Sequence, residues 1–167
     1  MNPYLNPYIP FFSHTLPAAV AFVRGGADHP LLKGMASFYS IPAGGIFMQI
    51  EVFQLPDNSG FFGMHIHESG DCTPPFDNTG LHYNPTNQNH PGHAGDLPPL
   101  LASNGYAWTA FYDGRLTIPD IIGRSLVIHG MRDDFTTQPA GGSGKKIACG
   151  VIEATPPEWG KLFGVLS

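Results

Sequence analysis

The chain has 167 residues, of which 42% are hydrophobic and 13% charged, with a formal net charge of −5. That length suits one core-bearing domain, and an ordinary apolar share with so small a net charge excludes disorder. Gly and Pro together make about 23% of the chain, too many helix breakers for a helical bundle, and eight basic against thirteen acidic residues carry no nucleic-acid signature.

Residues 1–17 are aromatic and proline-rich without periodicity and read as an irregular arm. The first Lys or Arg is Arg24, so the charged start of a signal peptide is absent. The Ala18–Val23 apolar run is too short to span a membrane, and no twenty-residue apolar stretch occurs anywhere. From Ala18 onward the pattern becomes short runs of period two. Gly45–Leu55 is the clearest, with Ile46, Met48, Ile50 and Val52 on one face and Gln49 and Glu51 on the other. Lys33–Ile41, Phe61–His67, Tyr106–Tyr112, Arg124–His129 and Lys146–Glu153 read the same way. Turn signals separate them, including Asp57-Asn58-Ser59-Gly60 and Asp113-Gly114. Six or seven short strands of this kind predict an all-β sandwich or barrel. Glu68–Ser103 breaks the rhythm: it holds six prolines and no convincing strand or helix. A loop of that length inside a compact domain needs something to fasten it.

Six of the eight histidines lie between residues 65 and 129. His65 and His67, two apart on a predicted strand, leave the same face. His82 follows in LHYNP, then His90, His93 and Asp96 recur at three-residue spacing in HPGHAGD, and His129 ends the strand SLVIH. Neutral imidazole suits copper and zinc, and the lack of clustered cysteines argues against iron–sulfur or Cys-type zinc sites. His90, His93 and Asp96 supply three zinc ligands from the loop, one short of a tetrahedron. His65, His67 and His129 supply a nitrogen-rich set suited to copper. His82 is available to either metal, and a deprotonated imidazole can bridge both. His14 and His29 fall outside the set and read as surface residues. The count of two cysteines, Cys72 and Cys149, leaves free thiols and a pair equally open.

The motifs GMHIHESGDC (63–72), LHYNP (81–85), HPGHAGDL (90–97), IIGRSLVIHG (121–130), Asp133-Asp134 and KIACGVI (146–152), in this order, resemble copper–zinc superoxide dismutase over residues 18–154. The cysteine directly after Gly70-Asp71 and the insertion before LHYNP look more like bacterial members than animal ones. The resemblance implies an eight-stranded Greek-key β-barrel of the immunoglobulin-like sandwich type with long metal-binding loops. It leaves 1–17 as an N-terminal arm and 155–167 as a C-terminal extension. It implies copper ligands His65, His67, His82 and His129, and zinc ligands His82, His90, His93 and Asp96, with His82 as the bridging imidazolate. Asp133 takes the place of the aspartate that links a copper-ligand histidine to a zinc-ligand one. Cys72 and Cys149 take the place of the family's disulfide.

The activity so implied converts two superoxide ions and two protons into dioxygen and hydrogen peroxide by copper redox cycling, with His82 releasing and retaking its bridge. Where the family usually places an arginine beside copper, this chain has Lys146, which keeps the charge but loses the planar fork. Arg132 and Lys145 are further candidate steering charges. The alternative is a non-enzymatic copper-delivery or storage protein on the same fold, which the complete copper ligand set disfavours. A structural zinc domain that never loads copper is a third reading. The expected partner is the superoxide anion, with no nucleic acid and no membrane span. A dimer is common in the family, though the sequence leaves the oligomeric state open. A disulfide points to an extracellular or periplasmic space, and the missing export signal to the cytoplasm.

Overall fold

A computed structural model describes residues 15–56 and 60–159. Most of the N-terminal arm, residues 57–59 of the Asp57–Gly60 turn, His14 and the end of the C-terminal extension therefore lie outside the described residues. Nine antiparallel strands follow in chain order: β1 (Ala19–Gly25), β2 (Lys33–Ser40), β3 (Ile46–Phe53), β4 (Phe61–Phe62), β5 (Met64–His67), β6 (Leu100–Leu101), β7 (Tyr106–Asp113), β8 (Ser125–His129) and β9 (Lys146–Ala154). A short helix, α1 (Ile118–Ile121), lies between β7 and β8, with Thr117 and Asp120 forming its capping box. No helix among the described residues is long and apolar enough to cross a membrane.

The predicted alternation sets the core. Ile46, Met48, Ile50 and Val52 are all fully buried and pack with Phe38, Phe62, Leu100 and Ile128. Seven strands form one curled sheet in the order β5-β8-β9-β1-β2-β3-β7. The two edges meet through a small second ladder. β4 runs through Gly63 into edge strand β5, and β6 turns through a Ser103–Tyr106 bridge into edge strand β7, while β4 and β6 pair with each other. Joining the edges in this way curls the sheet round into a barrel, while the outer side of β5 stays open for the long loop to pair with. With β4 and β5 counted as one predicted run interrupted at Gly63, this is the expected eight-stranded Greek-key barrel.

β1 departs from the sequence reading. It is a seven-residue strand in the middle of the sheet, yet its alternation is hidden because outward-facing Phe22, 48% exposed, is as apolar as its buried neighbours. The long loop holds only a 3-10 turn (Asp77–Thr79) and the two residues of β6.

Two kinds of fastener hold that loop. Cys72 is bonded to Cys149 of β9 with Cα atoms 5.6 Å apart, and their sulfurs pack with Phe76 and Val127. Further on, the loop backbone pairs with the free edge of β5: Tyr83 N–H donates to Ile66 O at 2.8 Å and Ile66 N–H to Gly95 O at 2.9 Å. Gly95 is required there, because any Cβ would strike the Ile66 carbonyl. We expect Cys149→Ser to lower unfolding stability by about 2–5 kcal/mol. Urea titration of the oxidised native chain against the variant measures this, and equal midpoints would mean that the loop is held without the disulfide.

Candidate metal centre

β5 places its side chains by simple alternation. Met64 and Ile66 enter the core, so His65 and His67 face the opposite way, under the long loop, where both are buried. β8 pairs with β5 and ends at His129, which brings a third imidazole to the same side. The β5-edge pairing sets His82 opposite His67 and Asp96 opposite His65. His65, His67, His82 and His129 form one buried group, and His82, His90, His93 and Asp96 a second; within each, the ligand atoms lie within 4.8 Å of one another. All seven predicted ligands are thus brought together, with His82 common to both groups. His29 is half-buried and belongs to neither.

The proton positions follow from the acceptors, since carbonyls and carboxylates can only accept. His67 Nδ1–H donates to Gly80 O at 3.0 Å and His129 Nδ1–H to Gly144 O at 3.2 Å. Their Nε2 atoms then face each other as bare lone pairs 3.3 Å apart. Asp133 accepts from His65 Nε2–H at 2.7 Å and from His90 Nε2–H at 2.9 Å. That leaves His65 Nδ1 and His90 Nδ1 buried without a hydrogen-bond partner, together with His82 Nε2. His90 Nδ1 lies 3.1 Å from Asp96 Oδ2, a lone pair against a carboxylate. Unpaired buried polar atoms cost about 1–3 kcal/mol each. Among the described residues only four such side-chain atoms occur, and three are in this centre. Facing lone pairs and orphaned nitrogens are the arrangement a cation satisfies, so the donor set fits two metal ions. The all-nitrogen group suits copper, and the three-imidazole, one-carboxylate group suits tetrahedral zinc.

Burial and the neighbouring charges act in the same direction as that assignment of protons. Burial, reinforced by the neighbouring His129, lowers His67 to about 2, and burial with His65 nearby lowers His129 to about 3. Burial lowers His65 as well, against the pull of Asp133. For Asp133 burial acts to raise the carboxyl, but hydrogen bonds from His65, the Phe135 N–H and His90 outweigh it and carry it to about 2. Neutral rings at His65, His67 and His129 leave those three nitrogens of the first group ready to bind a metal ion without first displacing protons.

Lys146 lies beside the first group, at the start of β9. Its ammonium donates to Thr79 Oγ1 at 2.8 Å, Gly80 O at 3.0 Å and Phe76 O at 3.3 Å. All three of its protons are thereby engaged. It therefore keeps a fixed positive charge next to His67 and His129 while pinning the turn whose Gly80 carbonyl orients His67.

One contributor has little signal in the sequence. Arg115, held by Asp113 at 2.6 Å, donates to Asp96 O at 2.6 Å and His93 O at 2.9 Å. Its targets on the zinc loop are backbone carbonyls, which no motif marks. Only the Asp113–Arg115 spacing across a turn hints at it.

Two outcomes are expected. Arg115→Ala should weaken zinc affinity about 10- to 100-fold, as loss of a ligand-orienting partner does, in competition against a chromophoric chelator. The metal-stripped protein should lose thermal stability as pH falls below about 6.5. There the unfolded histidines take up protons that His67 and His129 refuse, so the unfolded state binds more protons and gains. A Tm series of EDTA-treated protein reads this, with a shallower slope in His129→Gln; equal slopes would contradict it.

The geometry agrees with what comparison with known proteins shows. Residues 32–152 match the family model of copper/zinc superoxide dismutase. The chain is 36% identical over 145 residues to the Cu-Zn superoxide dismutase of Deinococcus radiodurans, covering 74% of this chain and 78% of that one. It is 33% identical over 153 residues to Cu-Zn superoxide dismutase A of Xenopus laevis, covering 83% of this chain and 98% of that one. An extracellular Cu-Zn superoxide dismutase of Mus musculus is 31% identical over 140 residues, which is 75% of this chain and 55% of that protein. The copper chaperone for superoxide dismutase of Mus musculus also matches, at 33% over 150 residues, 82% of this chain and 53% of the chaperone. The chain belongs to the copper/zinc superoxide dismutase family.

Proposed function

We propose that this protein disproportionates superoxide: two superoxide ions and two protons give one dioxygen and one hydrogen peroxide. The observation that carries this reading is the complete first group, in which the inward nitrogens of His65, His67, His82 and His129 converge. A delivery or storage protein has no need of four buried, oriented imidazoles, nor of a ring shared with the second group. When bound, copper supplies the one-electron couple and zinc a redox-inert positive charge.

The rest is the work of the chain. His65, His67, His82 and His129 hold copper, and His82, His90, His93 and Asp96 hold zinc. Asp133 fixes the tautomers of His65 and His90. His82 is the residue that moves a proton: its Nε2 is free on the copper side, while Nδ1 is tied to Asp96 Oδ1 at 2.7 Å. A proton held at Nε2 is therefore placed to be given to reduced substrate. Lys146 supplies positive charge at the first group and draws the anion without hydrogen-bonding it.

The working unit is residues 18–154, a reading supported by β1 beginning at Ala19 and β9 ending at Ala154. The disulfide fits an oxidising compartment, extracellular or periplasmic. The homodimer common in the family is part of the same reading, and sedimentation equilibrium reads it directly.

Metal content and superoxide turnover, measured on one purified sample, test the proposal. One copper and one zinc per chain with fast turnover is the expected result. Zinc alone with no turnover after copper addition would sink it and leave a structural zinc domain. For Lys146 the expectation is graded. Lys146→Arg should raise turnover with little change in its salt dependence, whereas Lys146→Met should lower turnover about threefold or more at low salt and flatten that dependence. If neither substitution changes the rate or its salt dependence, Lys146 does not guide the substrate.

A further inference from the structure

A groove of about 320 Å³ opens over the second metal group, on a side that the proposed reaction does not use. Its lining includes His82 and His93, both buried, and these form its floor. Around them stand the side-chain amides of Asn84, Asn87, Gln88, Asn89 and Gln138, mostly exposed, with the carboxylate residue Glu68. Of the second group's four side chains, His93 is the most accessible at 9%, against 4% for Asp96, 3% for His82 and none for His90. The group is therefore approached from the His93 side.

The walls are built rather than loose. Asn84 closes the 84–88 turn by accepting from Gln88 N–H and donating to Gln88 O. Gln138 joins the two sides, accepting from His90 N–H at 3.0 Å and donating to His90 O at 2.7 Å. From the opposite direction the group is screened. The His82 ring stacks on His65 with centroids 3.8 Å apart and stands between the two metal groups, and the Asp133 carboxylate occupies the far side of His90. An ion arriving from the copper side would have to displace His82.

We propose that the zinc ion is loaded and released through this amide-lined groove, with Glu68 as the carboxylate that collects the hydrated cation at its mouth. The chemistry is that of stepwise dehydration. A neutral carbonyl oxygen can take the place of a water molecule on a divalent cation while binding it only weakly, and Asn87, Gln88 and Asn89 carry side-chain oxygens of that kind. None of these amides binds a cation tightly enough to trap it before His93 and Asp96. Glu68 is the only charged residue in the lining, with Arg124 outside it donating to the Glu68 carbonyl at 2.9 Å, and Asp96 lies behind the floor, so the charge facing the groove is negative, while the Lys146 side of the centre presents a positive one. Metal and substrate thus have separate approaches of opposite sign. The proposal rests on the assignment of zinc to this group and not on dismutation.

The test is the rate of uptake of one equivalent of Co²⁺ by the EDTA-stripped full chain, followed by the visible absorption of the tetrahedral ion. Loss of that band in His93→Ala locates the signal at this group. Glu68→Gln keeps an acceptor for the Leu81 N–H that Glu68 Oε2 now receives at 3.1 Å, and should slow uptake about threefold or more at low salt, with a weaker salt dependence. Ala140→Phe, which fills the groove from the Gln138 side, should slow both uptake and chelator-driven release about tenfold, while the Tm and the final spectrum stay those of the native chain. Unchanged rates in a folded, fully loading Ala140→Phe overturn the route, and an unchanged rate in Glu68→Gln overturns the collecting role. A chain without dismutase activity would still report these rates, so failure here and failure of the enzymatic reading are told apart.

Discussion

The buried carboxylate of Asp133 is the constraint on which the rest of the centre depends. One oxygen takes the Nε2 proton of His65 and the other that of His90, both within 3 Å. Each bond forces the remaining lone pair of its ring to the opposite nitrogen, so one side chain decides the tautomer in both metal groups. An ionised carboxylate buried this deeply is tolerable only because hydrogen bonds surround it, including the Phe135 N–H at 2.7 Å. The space is no larger than needed: Gly141 has no Cβ because one would overlap Asp133 Oδ1. The 131–144 loop is therefore a support for the metal centre, although it supplies no ligand itself.

A rigid barrel and a tethered loop divide the remaining work. The barrel provides His65, His67 and His129 from paired strands, where register leaves little freedom. The loop provides His82, His90, His93 and Asp96, and these are precise only because the loop is fastened repeatedly. Cys149 and Lys146, three residues apart on β9, grip the 72–80 turn, one covalently and one through three hydrogen bonds. The β5 edge grips residues 81–96, and Arg115 grips the carbonyls of His93 and Asp96 from β7's end. A long segment with almost no secondary structure can then carry geometry fine enough for metal ligation.

How legible this was in the sequence depended on whether side chains or backbone did the work. The face of β3 was readable because its inward residues are apolar and its outward ones polar, and the metal groups because imidazoles at set spacings are chemically distinctive. β1 was not, since Phe22 makes both of its faces apolar, and β6 was not, since two residues carry no period. Arg115 and the β5-edge pairing act on carbonyls and N–H groups that every residue possesses, so no residue type announces them. For Lys146 the charge was readable, but its three acceptors, two of them carbonyls, were not.

That last point bears on how an anion is drawn in. A guanidinium in this position has five N–H donors, and several would remain for a ligand after binding the same carbonyls. The Lys146 ammonium has three, all engaged by Phe76, Thr79 and Gly80. Its attraction for superoxide is then purely coulombic. At about 6 Å in a water-like medium that amounts to roughly 0.7 kcal/mol, rising as the surroundings become less polar. Such a contribution speeds encounter, fades with added salt, and gives no orientation at contact. Nor is the charge free to follow the substrate inward, because leaving its place would release the Gly80 carbonyl that orients His67. Lysine in this barrel is thus committed first to structure, and its help to the substrate is what its field can supply from a fixed point.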